Sequence, residues 1–377
     1  MINIDEIKKI STESGIPITC IEKDYVMGWL LWAIYNETLL SKNLVLKGGN
    51  CLRKIYFSDT RFSDDLDFTA DRIDTADEFK KQLQNICKRV EDIAGIKFNM
   101  DDTNVKLTDI YGKELQALDG RVYFKGFAGD SNITMKIKFD ISEYEKIVLP
   151  LQTHSIIHPF SDASICKANI LAYSLEEILA EKLRSWIQRT RPRDLFDVVK
   201  IIQSKAIPIS KKNILSAFFH KTIFKDIPIA GRDELLSDIK FNIIETHWDN
   251  AIICPSQSLI VAKNAITFFK DFVSALFQPE VVNSIGVYFN NMRTSSISAK
   301  MRETIIAAGK EHKVLRMRYD NKERDIEPYS FRYKNGSELF YGFDKTRGNI
   351  IKSYTLHKIQ NISISPNLYE PRWSVEF

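Results

Sequence analysis

Hydrophobic and polar positions follow two periods along this chain, and the switches between them divide it. Ile4 to Thr12 and Cys20 to Leu40 carry the helical period, with Pro17 between them and Thr19 placed to cap the second. Leu44 to Leu46 predicts a short apolar strand, stopped by Lys47, Gly48, Gly49 and Asn50, and a helix from Cys51 to Tyr56 follows. Leu66 to Thr69 reads as a second strand. From Ala76 to Ala94, Phe79, Leu83, Ile86 and Val90 share one helical face. Ile133 to Ile141 alternates: Ile133, Met135, Ile137 and Phe139 on one side, Thr134, Lys136, Lys138 and Asp140 on the other. Leu175 to Gln188 predicts a helix, and Pro192 opens another, as proline does in a first helical turn.

Ile209 to Phe277 keeps the helical period, with loop signals around Pro228 and Pro255. Asn290 to Ser298 is polar and serine-rich and reads as a linker. One helix, Ala299 to Gly309, precedes short strands at Leu315 to Tyr319, Glu338 to Phe343 and Ile350 to Leu356, with Asn335 and Gly336 as a hairpin turn. The expected fold is α+β in three parts: residues 1–205, a helical segment 206–289, and a small β-rich domain 299–377.

Composition narrows the class. The 377 residues are 44% hydrophobic and 27% charged, which excludes a disordered or fibrous chain. At about 150 residues per domain the length suits two or three domains. The most apolar run, Val26 to Tyr35, is half of the ~20 residues that span a bilayer. The N-terminus lacks a basic region followed by an apolar one. A cytoplasmic protein with no membrane partner is expected. Five scattered cysteines show neither zinc-finger spacing nor a disulfide framework, and His154 and His158 lack an HExxH context. The net charge of +4 is uneven: residues 285–377 hold 16 Lys+Arg against 10 Asp+Glu, and the rest hold 37 against 39. That balance points to a polyanionic partner for the C-terminal part.

The sharpest chemistry lies between Lys47 and Phe68. Gly48 and Gly49 after a strand let backbone approach a phosphate, and a helix starting there adds its positive end. Asp65 and Asp67 are two apart on a presumed strand, so both carboxylates face one way while Leu66 and Phe68 face the core. Such a pair suits Mg²⁺, which prefers oxygen ligands and triphosphate, and Asp140 on another strand is placed to supply a third carboxylate. Three carboxylates, two metals and a phosphate loop suit nucleotidyl transfer. Further on, Ile178, Lys182, Ser185 and Arg189 form one helical stripe whose cations could hold a nucleotide's phosphates. Asp194 stands in the first turn of the next helix, where a carboxylate suits the dipole. The same residues taken singly also suit an ordinary turn, a solvated acidic face and a helix cap.

In combination these segments resemble the AbiEii/AbiGii family of nucleotidyltransferase toxins, part of the DNA polymerase β-like superfamily. The resemblance covers roughly the first 280 residues. It rests on Ile21 to Tyr25, Leu46 to Leu52, Arg61 to Phe68, Lys138 to Ile141, Ala180 to Lys182 and Arg193 to Asp197, in that order. It implies Asp65 and Asp67 as metal ligands, with Lys182 and Asp194 as further catalytic residues, and Asp140, from its strand position, is the candidate third ligand and catalytic acid. Gly48, Gly49, Asn50, Arg61, Ser63, Lys182 and Arg189 are the candidate nucleotide-binding set. The family usually carries Ser or Thr where Asn50 stands. The implied activity is transfer of NMP from an NTP, with Mg²⁺ or Mn²⁺, to an acceptor such as a tRNA, within a toxin–antitoxin or abortive-infection defence system that includes a cognate antitoxin. Two alternatives share the fold: a ligand or nucleic-acid sensor without turnover, and an enzyme that nucleotidylates protein. Residues 299–377 resemble a WYL domain, a small Sm-like β module, in which Arg316, Arg318, Arg324, Lys352 and Lys358 among Tyr319, Tyr329 and Tyr354 would line a charged groove.

Overall fold

The computed structural model describes residues 2–73, 75–109, 116–128, 133–204, 207–225, 227, 229–285, 299–334, 337–355 and 358–377. The expected linker at Asn290 to Ser298, the hairpin turn at Asn335 and Gly336, and Pro228 lie outside the described residues. The chain forms two compact units, one of residues 1–145, 150–174 and 248–261, the other of residues 146–149, 175–247 and 262–377.

The first unit is built on a seven-stranded mixed sheet. Its elements are α1 (Ile4–Ser14), α2 (Ile18–Glu37), β1 (Leu44–Lys47), α3 (Gly48–Cys51), β2 (Asp65–Ala70), α4 (Ala76–Ala94), β3 (Asn104–Asp109), β4 (Gln116–Lys125), β5 (Thr134–Ser142), β6 (Gln152–Ser155) and β7 (Asn169–Ala172). The strand order is β3-β4-β5-β2-β1-β7-β6. The β2–β5 and β1–β7 pairs are parallel and the others antiparallel. Helix α2 is apolar around most of its circumference and almost wholly buried, as a core helix must be. It begins one residue after Pro17, which occupies the N-cap, so Thr19 lies inside the helix and does not cap it. Helix α4 starts at a Thr75–Glu78 capping box and ends at Gly95 in the left-handed region. Its Phe79 and Leu83 lie over Gly120 of β4, where a larger residue would collide.

Alternation sets the faces of the sheet. Leu118, Val122 and Phe124 of β4, Met135, Ile137 and Phe139 of β5, and Leu66 and Phe68 of β2 are buried. The residues between them on β4, β5 and β2 stay on the opposite, more open face. Ile133 is the exception to the expected pattern: it precedes β5 and is exposed.

The second unit holds α5 (Leu175–Arg189), α6 (Pro192–Gln203), α7 (Lys211–Phe224), β8 (Ile229–Ala230), α8 (Arg232–Leu235), α9 (Asp238–Ala251, its last turn in the first unit), α10 (Ala262–Leu276), α11 (Pro279–Asn283) and α12 (Ala299–Lys310). It continues with β9 (Lys313–Tyr319), β10 (Lys322–Lys334), β11 (Ser337–Asp344), β12 (Ile350–Thr355) and β13 (Ile359–Leu368). These five strands and β8 form an antiparallel sheet in the order β13-β9-β10-β11-β12-β8. Ile305 and Ala308 of α12 pack on Leu315, Met317, Ile326, Phe340 and Tyr354 to make its core. Past β13 the chain returns across the sheet: Trp373 stacks on Tyr329 at 3.9 Å, and the Arg372 guanidinium grips buried Glu327 at 3.0 and 3.2 Å.

Candidate active site

Strand β1 ends in a turn that only glycine can make. Gly48 has φ of +73°, and a Cβ there would run into the carboxylate of Asp67. A Cβ on Gly49 would lie 2.7 Å from Arg61 Nη2 and 2.9 Å from Ser63 Oγ. The two glycines therefore let the backbone close on three of the predicted site residues. The helix starts at Gly48 itself, three residues earlier than the sequence pattern suggested, and runs on from Cys51 in π form through Tyr56. Replacing Gly48 by Ala should add about 1–2 kcal/mol of left-handed strain and displace Asp67. Thermal melts and transfer assays on that variant should both fall, and unchanged transfer would contradict the close contact.

Asp65 and Asp67 stand one pleat apart on β2. The parallel register sets Asp65 beside Lys138 and Asp67 beside Asp140 on β5, and the next strand sets Asp119 beside Asp140. The expected third carboxylate is thus a neighbour of Asp67, but Lys138 Nζ holds it at 2.8 Å and also reaches Asp119 at 3.5 Å. Among the described residues no group of three His, Cys, Asp or Glu side chains converges to hold a metal. Asp65 and Asp67 alone still fit Mg²⁺ by donor type, because that ion is commonly bound by one or two carboxylates plus the substrate's phosphates. The alternating pattern of β4 carried the signal for Asp119, but Gly120 interrupts the row of large apolar residues and hides the strand.

Asn50, expected among the phosphate-binding residues, has a fully buried side chain whose Nδ2 donates to the backbone carbonyl of Asp65 at 2.6 Å. It ties the helix after the glycines to the start of β2. The Ile21 to Tyr25 segment does similar work. Asp24 accepts from Arg53 at 2.8 Å and pairs with Lys54 at 2.9 Å. Burial opposes its ionisation, yet the two cations outweigh that and bring its pKa to about 2. Glu22 accepts the Phe127 and Ala128 amides at 2.6 and 2.7 Å. Lys47, across from Asp67 in the β1–β2 register, is nearly buried and pairs with Glu145 at 3.2 Å.

A family model described as the nucleotidyl transferase AbiEii toxin of Type IV toxin–antitoxin systems matches residues 29–253, more than half of the chain. The chain belongs to the AbiEii family. It is a toxin nucleotidyltransferase, and membership implies an NTP substrate and a cognate antitoxin. Among solved structures it is similar to MenT4, a nucleotidyltransferase toxin from Mycobacterium tuberculosis, with 16% identity and a TM-score of 0.48 over 74% of this chain and 92% of that one. JHP933 from Helicobacter pylori is similar at 16% identity and a TM-score of 0.43, over 69% of this chain and 93% of that one. No curated protein matches. No helix among the described residues is long and apolar enough to cross a membrane.

The second predicted segment of this AbiEii chain lies in the second unit, where it forms a buried ion network. Lys182 Nζ is 3.0 Å from Asp194 and 2.7 Å from Asp197, and Arg189 makes two bonds to Asp194 at 3.0 and 3.1 Å. Lys182, Asp194 and Asp197 are almost fully buried. Burial raises the Asp194 pKa, but Lys182 and Arg189 bring it down to about 2. The network locks α5 to α6. Lys182 and Arg189, expected to face phosphates, are here committed to carboxylates, and Asp197 is a partner that helical spacing alone did not reveal.

The C-terminal cations do not share one groove. Arg316 and Arg318 are exposed on one face of β9, Arg316 bonding Asp325 at 3.2 Å. Arg324 is buried on the other face, 3.5 Å from Asp344. Lys352 lies over the rings of Tyr319 and Tyr354 at 5.6 and 5.4 Å, and Lys358 is exposed just before β13. Tyr329 belongs to neither place, being buried against Trp373.

Proposed function

We propose that the Asp65–Asp67 edge of β2, with the Gly48–Gly49 turn, is the catalytic centre, and that it transfers NMP from an NTP to the end of an RNA, tRNA being the favoured class. The single observation that carries this reading is the fit of the Asp67 carboxylate against Gly48, which sets an acidic pair beside a backbone turn suited to phosphate. Mg²⁺ or Mn²⁺ held by Asp65 and Asp67 would supply charge neutralisation on the triphosphate. Arg61 and Ser63, beside Gly49, would bind phosphate oxygens and orient the NTP. Asp140 would accept the proton of the acceptor hydroxyl, its carboxylate steered by Lys138. Lys182, Arg189 and Asp194 would act as a unit that keeps α5 and α6 in place. The cellular setting would be cytoplasmic phage defence by abortive infection.

The acceptor is tested by incubating the protein with each labelled NTP, total RNA and total protein. Label that nuclease removes and protease spares is expected. Label that protease alone removes would replace RNA by a protein acceptor.

Residues 299–377 would form the WYL-like sensing module of the proposed three-domain division. The exposed Arg316–Arg318 pair and the local excess of cations support an anionic ligand. Binding of a labelled oligonucleotide by the full chain should weaken with salt, and reversal of Arg316 and Arg318 to Glu should lower the affinity further and flatten its salt dependence. Salt slopes identical in the variant and the wild type would remove this surface from the binding account.

A further inference from the structure

Beyond Asp65 and Asp67 the open face of the first sheet continues across β5, β4 and β3. Its cross-strand rows are fixed by register. One row runs Asp65, Lys138, Arg121, Asn104; the row beside it runs Asp67, Asp140, Asp119, Lys106. One step further along β5 and β4, Lys136 pairs with Tyr123, and after that Thr134 pairs with Lys125. Cross-strand partners share a face, so all these side chains lie on the side opposite the buried Leu118, Val122, Ile137 and Phe139. Lys106, Lys125 and Lys136 are exposed, and Arg121 and Lys138 are partly so. Among the described residues on these strands, and outside the acidic centre, five cations share this face with one carboxylate, Asp119. Arg121 pairs with Asp119 at 3.0 Å and Lys138 is held by Asp140 at 2.8 Å, so exposed Lys106, Lys125 and Lys136 carry the positive excess.

We infer that this face is the track along which the single-stranded end of a nucleic acid reaches the Asp65–Asp67 centre. The inference rests on the reading of the acceptor as RNA and adds the surface that holds it. Charge complementarity selects the occupant: a ladder of cations leading to a carboxylate pair suits a polyanion whose last sugar hydroxyl is the acceptor. Spacing agrees. Lys136 and Lys138 lie two residues apart on one strand, about 6.7 Å, comparable to the phosphate repeat of an extended single strand. Tyr123 sits among Arg121, Lys125 and Lys136 and supplies a ring on which a base of any identity stacks. A protein acceptor has no need of regularly spaced cations.

The test uses the full chain and a Lys125→Glu/Lys136→Glu variant, since both side chains are exposed and neither belongs to the centre. The probe is a fluorescein-labelled RNA hairpin with a single-stranded 3′ tail, titrated at several salt concentrations. NTP binding is followed in parallel by equilibrium dialysis, and folding by thermal melts. RNA affinity should fall at least tenfold in the variant. Its dependence on log salt should flatten by about 1.4, the value for two single-strand phosphate contacts. NTP binding and the melting temperature should match the wild type. Wild-type RNA affinity and salt slope in the variant would overturn the track. So would a wild-type protein that labels protein and binds no RNA, although nucleotidyl transfer would then still stand. A wild type that transfers nothing while the variant alone loses RNA binding would instead uphold the track and sink the catalytic reading.

Discussion

Asp67→Asn protein should fold as the wild type does and transfer nucleotide roughly 10²-fold more slowly, or worse. The substitution keeps the shape that fits against Gly48 and removes the negative charge. If the carboxylate serves a metal or the charge developing on the phosphates, its loss raises the barrier by about 3 kcal/mol. Stability should hold or rise slightly, because Asp65, Asp67 and Asp140 crowd three negative charges onto adjoining strands with Lys138 between. An acidic face that is merely solvated predicts near-normal transfer. Matched assays at equal Mg²⁺, with melts run alongside, separate the two outcomes.

Lys182→Ala protein should lose about 3–5 kcal/mol of stability, because the substitution removes the ammonium that lies 3.0 Å from buried Asp194 and 2.7 Å from buried Asp197. Lys182→Met combined with Asp197→Asn should recover much of the loss, since the charge that Lys182 faces at 2.7 Å is removed together with it. The sign of the pH dependence follows from Asp194. Its folded pKa, about 2, lies below the ordinary carboxylate value, so its contribution is complete above about pH 5 and is lost as pH falls toward 2. The wild type should therefore lose stability in that acid range, and the Asp194→Asn protein should show a shallower acid slope. Denaturant midpoints from pH 7 to pH 3 provide the measurement. A Lys182→Ala midpoint equal to that of the wild type would mean that the network is not what holds α5 to α6.

The first sheet was legible where one face alternates without interruption, as in β5, and where glycine and aspartate stand in a telling order, as from Gly48 to Asp67. It was hidden where charge and glycine dilute the pattern. In β4 the core row is Leu118, Gly120, Val122 and Phe124, and only the large residues announce a strand. Strand β10 escaped notice because Pro328 interrupts it, and the register shifts by one between Pro328 and Ser330. Strand β13 carries Pro366, and it lies at the sheet edge, where proline is tolerated and few side chains need be apolar. The roles of Asn50 and Lys182 were beyond reach for another reason. An amide donor suits a phosphate or a carbonyl equally well, and an ammonium suits a triphosphate or two aspartates. Only burial decides, and burial depends on how α3 meets β2 and how α5 meets α6.

A nucleotidyltransferase leaves the α-phosphate of the NTP on its acceptor and releases the β- and γ-phosphates, so which phosphate reaches the RNA tests this AbiEii chain most directly. Wild-type protein and Asp67→Asn protein are incubated with total RNA and an NTP labelled either at the α- or at the γ-phosphate, and the RNA is then isolated. Wild-type protein should place α-label on the RNA and none from γ-labelled NTP, and the Asp67→Asn protein should place little with either. Label arriving from the γ-phosphate, or α-label transferred equally well by Asp67→Asn protein, would contradict nucleotidyl transfer at the Asp65–Asp67 centre.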